Sequence, residues 1–312
     1  MKFDFKDINL IPQKGIVNSR SDCDTSITFG NYNFKLPIVP SNMECVINDK
    51  LAIELSTNGY FYIMHRFNID IIEFIENMNR LNLITSISVG VNEDSYNIID
   101  EIYNKNLKVD YITIDIAHGH CLKMESIIKY IKKILPNVFL IAGNISTKEG
   151  VVDLENWGAD SVKIGIGNGS VCTTYHSTGF GSRDCQASTI YECSKVAKKP
   201  IISDGGIKFA CDITKSLVMG ASLVMIGGML SGFIDSPGKI IEKDGVSYKE
   251  FWGSASMFQS NKKNRIEGKL DIIKLKNKSL FDELISIEEC LQSSISYSGG
   301  KDIKSLLNVK WN

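Results

Sequence analysis

Cys172 is the residue in this chain best suited to do chemistry. It ends the glycine-rich run Gly165-Ile166-Gly167-Asn168-Gly169-Ser170-Val171 and is followed by Thr173 and Thr174. A thiol attacks only as its thiolate, so a site built on it must stabilise that anion or supply a base. A lone cysteine is more often a small buried apolar residue. That describes Cys193, which sits in a helical stretch at 187–197. It does not describe a loop position among glycines, which offers little apolar cover. The spacing argues against a dinucleotide-binding turn, because the third glycine is misplaced. The chain then runs on to Gly179-Phe180-Gly181 rather than into an amphipathic helix.

Two more glycine pairs, Gly205-Gly206 after Asp204 and Gly227-Gly228, each follow a short apolar run. They either make tight turns or let an anion approach backbone N–H groups. Two pairs at adjacent strand ends favour a phosphate site. Asp204 would repel a phosphate but suits ribose hydroxyls, which points to a nucleotide. Asp115, His118 and His120 form a set that suits zinc. A metal there would leave the glycine motifs without a role, and a strand-end Asp can instead orient a cofactor amide.

These loops must be held by regular elements. Eight apolar runs occur at 36–40, 60–64, 84–91, 111–116, 138–142, 161–166, 200–203 and 222–226. Most alternate with helical segments at 49–56, 69–81, 124–135, 147–157 and 187–197, a cadence that indicates a parallel sheet covered by helices. The runs end in Ser41-Asn42, His65-Arg66, Asn92, Asp115, Asn144, Gly167, Asp204 and Gly227-Gly228. Polar and glycine residues at every strand end predict an α/β fold closed as a (β/α)8 TIM barrel, with its site at the C-terminal mouth. An open doubly wound sheet would gather them at one switch point. Beyond the eighth run, 239–242 and 246–251 flank Asp244-Gly245 as a hairpin, and 254–278 reads as an exposed loop. Ser279 caps a last helix with Leu280, Leu284, Ile287 and Leu291 on one face, stopped by Gly299-Gly300.

The 312 residues lie somewhat above the ~250 of a typical barrel and read as one domain, 1–312. With 43 % hydrophobic and 23 % charged residues, a packed globule is expected. A net charge of −1 without long runs of one sign disfavours nucleic-acid binding. The start of the chain lacks a signal-peptide core, and no apolar run is long enough to span a membrane. Eight scattered cysteines without a C-x-x-C pair fit reduced thiols in the cytoplasm.

The cysteine loop, with Ile202-Ser203-Asp204-Gly205-Gly206 and Met225-Ile226-Gly227-Gly228-Met229, closely resembles the inosine monophosphate dehydrogenase and GMP reductase superfamily. Further matches are Pro40-Ser41-Asn42-Met43, Asp115-Ile116-Ala117-His118-Gly119, Trp252-Gly253-Ser254-Ala255-Ser256, Ile266-Glu267-Gly268-Lys269 and Ser296-Tyr297-Ser298-Gly299-Gly300. They run in the family's order over essentially the whole chain. The resemblance implies a purine nucleotide, GMP or IMP, attacked at C2 by Cys172, with Thr174 and Glu267 as a proton relay. Without it, Glu267 reads as a solvated surface carboxylate. The resemblance assigns Met43, Ser170, Asp204, Gly205, Gly206, Gly227, Gly228, Gly253, Ser254, Ala255 and Gly268 to the nucleotide. It assigns Asp115, Ile116, Ala117, Ile166, Gly167 and Tyr297 to the cofactor, Tyr297 reaching a neighbouring subunit of a homotetramer. It also implies a monovalent cation, K+, at Gly167, Gly169 and Cys172.

Dehydrogenases of the family oxidise IMP to XMP with NAD and hydrolyse the adduct with a mobile flap bearing an Arg-Tyr pair. Here only the ten residues 257–266 separate Ser256 from Glu267, and none of them forms such a pair. The regulatory CBS insertion of most dehydrogenases is also missing, since His65-Arg66-Phe67 runs straight towards the next helix. Both absences favour the NADPH-dependent reductase branch, which turns GMP into IMP and ammonia. Departures from the family pattern are Asn168 for a proline, which loosens the loop, Tyr175-His176 for a basic pair, and an arginine shifted to Arg265. A flavin-dependent barrel would use the same phosphate position and give yellow protein. A binding module without turnover would have no use for Cys172, Thr174 and Glu267 together.

Overall fold

The computed structural model describes residues 2–260 and 266–312. Its centre is a parallel sheet in the order β3-β9-β8-β7-β6-β5-β4. The strands are β3 (Ile38–Pro40), β4 (Ser86–Val89), β5 (Tyr111–Asp115), β6 (Phe139–Ile145), β7 (Ser161–Ile164), β8 (Ile201–Asp204) and β9 (Leu223–Ile226). Helices α1 (Asp49–Thr57), α2 (Ile71–Arg80), α3 (Glu93–Asn104), α4 (Leu122–Ile134), α5 (Lys148–Trp157), α6 (Thr174–Thr178), α7 (Gln186–Ser194) and α8 (Ala210–Val218) fall between the strands. This is the TIM-barrel arrangement. Local chemistry sets each helix; in α2, Asp70 accepts from the N–H groups of Ile72 and Glu73, a cap that contributes about 1 kcal/mol. Ile71, Ile72, Phe74, Ile75 and Met78 then turn one apolar face inward.

The sequence led us to expect eight strands, and the run at 60–64 departs from that. It lies beside β4 but forms one bridge, Met64 with Ile87. The Tyr62 hydroxyl donates to the Ile84 carbonyl (2.8 Å) and accepts from the Ser86 N–H (3.2 Å), occupying groups that a continuing ladder would use. Phe61 and Ile63 still point into the barrel.

Strand residues alternate between two apolar layers. Ile112, Ile114, Leu140, Ala142, Val162, Ile164 and Val224 pack outward under the helices. Val39, Tyr111, Ile141, Ile202, Leu223 and Met225 fill the barrel. Its N-terminal end is closed by a hairpin not foreseen from the sequence, β1 (Ile27–Phe29) and β2 (Tyr32–Phe34). Phe29 and Phe34 meet the Phe61 ring at 5.3 and 5.0 Å between centroids.

After β9, β10 (Ile240–Lys243) and β11 (Val246–Trp252) form the expected antiparallel hairpin. The stretch expected to be an exposed loop contains regular structure: α9 (Met257–Ser260) and β12 (Leu270–Lys274), which pairs with β11. Lysines mask the strand pattern here, since β12 is an edge strand with three of its five residues exposed and none fully buried. The last helix, α10 (Leu280–Tyr297), starts at Ser279 as expected and buries Leu280, Leu284, Ile287, Leu291 and Ile295.

Candidate active site

Strand β7 releases the chain into the cysteine loop at the C-terminal mouth, and a short helix, α6, begins at Thr174 and stops at Gly179. The loop is stitched to the 266–269 segment. Cys172 bridges Gly268, the Lys269 N–H donates to the Val171 carbonyl (2.9 Å), and the Thr173 N–H donates to the Glu267 carbonyl (3.0 Å). Gly253 joins the same patch through the Lys269 carbonyl (3.1 Å). The half-buried Cys172 thiol donates to Thr174 Oγ1 (3.3 Å), and that hydroxyl donates to Glu267 Oε2 (2.7 Å). Sulfur, hydroxyl and carboxylate thus form one continuous hydrogen-bonded line. Cys193 is of the other kind: burial pushes its thiol up to about 12.

Asn168 does not loosen the loop. Its side-chain amide donates to Ser182 Oγ (2.8 Å) and Gln186 Oε1 (2.5 Å), so hydrogen bonds supply the restraint expected of the missing proline. Arg183 lies against the altered pair, with Nη1 2.8 Å from His176 Nε2 and its guanidinium 6.0 Å from the centre of the Tyr175 ring.

The glycine loops converge beside the thiol. Gly205 and Gly206 adopt φ of +91° and +83°, a left-handed region that a side chain disfavours. A Cβ at Gly205 would lie 3.0 Å from that of Asn168, and one at Gly228 would lie 3.5 Å from Ser170 Oγ. Loops after β7, β8 and β9 therefore meet at the mouth, where their glycines leave backbone open to an anion. Met43 packs in the small cluster of Cys45, Val46, Val171, Phe251 and Trp252 that backs the cysteine loop. Ser254 and Ala255 follow Gly253 in the turn closed by the Ser256 N–H to Gly253 carbonyl bond (3.0 Å).

On the other side of the mouth, the Ile116 N–H donates to the Gly143 carbonyl (3.0 Å), which holds Asp115, Ile116 and Ala117 beside β6. Ile166 is buried, and Gly167 turns with φ of +78°. Tyr297 is not drawn in: it is 67 % exposed at the end of α10, with its carbonyl accepting from Gln13. Arg265 lies outside the described residues. A cleft of about 360 Å³ opens at the opposite end of the barrel, around Tyr32, Lys108 and Phe139, and holds none of these groups.

Two polar side chains at the mouth were not singled out from the sequence as site residues, Lys163 and Asn144. The Lys163 ammonium lies 2.8 Å from Asp115 Oδ1 and 2.6 Å from Asp204 Oδ2. Asn144 donates to Asp204 Oδ2 at 2.7 Å. A lysine inside a fully buried parallel strand was the available signal. Burial would raise the Asp115 carboxyl, but the Lys163 charge and hydrogen bond, with Arg66, outweigh it and hold Asp115 below the ordinary carboxylate range.

The model of the IMP dehydrogenase / GMP reductase domain matches residues 2–310. The chain belongs to this family. Among its relatives, the GMP reductase of Mycoplasma mycoides is 51 % identical over 99 % of this chain and 97 % of its own. That of Bacillus subtilis is 51 % identical over 99 % of this chain and 95 % of its own. That of Oceanobacillus iheyensis is 52 % identical, covering 99 % and 94 %. Among the described residues no helix is long and apolar enough to cross a membrane, and no cluster of His, Cys, Asp and Glu is placed to hold a metal ion.

Proposed function

We propose that this chain converts GMP to IMP and ammonia with NADPH, through a covalent bond between Cys172 and purine C2. The line Cys172–Thr174–Glu267 carries this reading. As the thiol gives its proton to Thr174 Oγ1, the Thr174 hydroxyl passes its own to the Glu267 carboxylate. The sulfur bonds to C2 with the freed electron pair while the C2–N3 π pair moves onto N3, from which it returns to C2 as the amino group leaves. An amino group leaves poorly unless protonated. Neutral Glu267 returns the proton to that nitrogen, the C–N bond breaks, and ammonia departs, leaving the thioimidate. NADPH, when bound, supplies hydride to C2; the C–S bond then breaks with its pair on sulfur and releases IMP.

Gly205, Gly206, Gly227, Gly228 and Ser170 receive the phosphate, Asp204 the ribose, and Met43, Gly253, Ser254, Ala255 and Gly268 the base. Asp115, Ile116, Ala117, Ile166 and Gly167 face the nicotinamide. The mouth fits further polar ligands, since Asn144 Oδ1 is buried there without a partner. The exposed Tyr297 suits delivery to a second copy in a homotetramer. A K+ ion at the carbonyls of Gly167, Gly169 and Cys172 would steady the cysteine loop; a lone pair remains on the Gly169 oxygen beside its bond from the Cys172 N–H. Residues 1–312 act as one catalytic domain, in the cytoplasm, where its eight free thiols stay reduced.

Incubation with GMP and NADPH should bleach the nicotinamide band and release ammonia one for one. Reduction of NAD by IMP, with no turnover of GMP, would overturn the reading in favour of the dehydrogenase.

A further inference from the structure

The barrel interior is filled by Tyr111, Ile141, Ile202, Leu223 and Met225 with small hydroxyl residues such as Thr113 and Ser161, and charged side chains come in at the layer at the mouth. There Lys163, 2 % exposed, stands between two carboxylates from different strands. The sheet makes room for this reach. Gly143 of β6 pairs with Asp115 on one side and Lys163 on the other. A Cβ on it would lie 2.6 Å from Lys163 Cβ and 2.8 Å from its carbonyl oxygen. The lysine therefore crosses a strand that carries no side chain and meets β5, while Asp204 of β8 takes it from the other flank. Removing three charges from water is costly, and apolar residues of similar volume would fill such a layer at least as stably. The charged layer borders both halves of the site, so a role in function accounts for it better than stability does.

We propose that Lys163 is a positioning residue shared by the two half-sites, its one ammonium orienting Asp204 for the nucleotide ribose and Asp115 for the nicotinamide side, so that binding at each depends on the other carboxylate. The proposal rests on the reductase reading for the identity of the two ligands. Lys163 and Asn144 both engage Oδ2 of Asp204, which leaves Oδ1 as the oxygen offered to a ligand. On Asp115, Lys163 engages Oδ1, and Arg66 Nη2 lies 3.3 Å from the backbone carbonyl. One cation serving two anions is a shared resource. When either carboxylate is neutralised, the ammonium binds the other more tightly and makes it a poorer acceptor.

The test is calorimetric titration of GMP alone and NADPH alone into the full chain. Lys163→Met should weaken both by tenfold or more, whereas a lysine needed only for packing would lower the melting temperature and leave both affinities of the folded protein unchanged. Asp115→Asn gives a second reading that does not depend on Lys163→Met folding. GMP should bind at least threefold more weakly to Asp115→Asn, although Asp115 lies on the cofactor side. Unchanged GMP affinity in Asp115→Asn, or a folded Lys163→Met that loses neither ligand or only one, overturns the proposal. Wild-type protein that binds neither GMP nor NADPH would instead sink the reductase reading.

Discussion

At the scale of single residues, the mechanism we propose keeps a proton within reach of two different atoms. Thr174 is 8 % exposed and holds the thiol and the Glu267 carboxylate on one hydroxyl. Cys172→Ala should abolish turnover. Glu267→Gln keeps the shape but cannot accept the proton, so ammonia release, followed by a coupled ammonia assay, should slow by about 10²–10⁴-fold. Unchanged release in that variant would remove Glu267 from the relay. Asp115 makes a pH prediction. Its folded-state value lies below that of the unfolded chain, about 3.9. It therefore stabilises the fold above that pH, and the contribution is lost as pH falls through the lower folded value. Most of that depression comes from Lys163, so the melting-temperature gap between wild type and Lys163→Met should narrow once pH drops below about 4. A gap that stays constant from pH 7 to 3 would contradict the assignment.

At the scale of elements, the informative contact is that of β6 with β7. Gly143→Ala places a methyl against the Cβ and backbone of Lys163, not against a flexible side-chain end. The strands must separate, at a cost of about 1–3 kcal/mol. Urea unfolding should report that loss as a lower midpoint with the slope unchanged. The same separation pulls Lys163 away from Asp115, so NADPH affinity should fall together with stability. Loss of stability alone would mean that the glycine serves only packing. The cysteine loop follows the same logic: Asn168 ties it to Ser182 and Gln186, and the bridge to Gly268 ties it to the far end of the chain.

At the scale of the whole molecule, the two ends of the barrel are specialised. The mouth is polar and glycine-rich. The opposite end is plugged by the β1–β2 hairpin, where Phe34 is 1 % exposed and packs on Phe61 and Tyr111. Phe34→Ala should cost about 3–5 kcal/mol. Turnover per folded molecule, measured well below the lowered melting temperature, should stay near wild type because the plug lies at the far end from Cys172. A large fall in kcat at full folding would show that the plug shapes the mouth.

How far the amino-acid order alone decides this protein differs between local and distant relations. Period and composition sufficed for the βα cadence, the α10 stripe, the 240–252 hairpin and the glycine loops, because each depends on neighbours a few positions apart. Cys172 stood out for the same reason. Glu267 did not, since it meets Thr174 from 93 positions away and reads locally as one more surface acid. Lys163 became legible only when curvature of the sheet brought β5 and β8 to either side of it. The run at 60–64 has the composition of a strand, yet one tyrosine hydroxyl takes its ladder partners. Such outcomes depend on which distant groups meet when the barrel closes, and no local pattern encodes that.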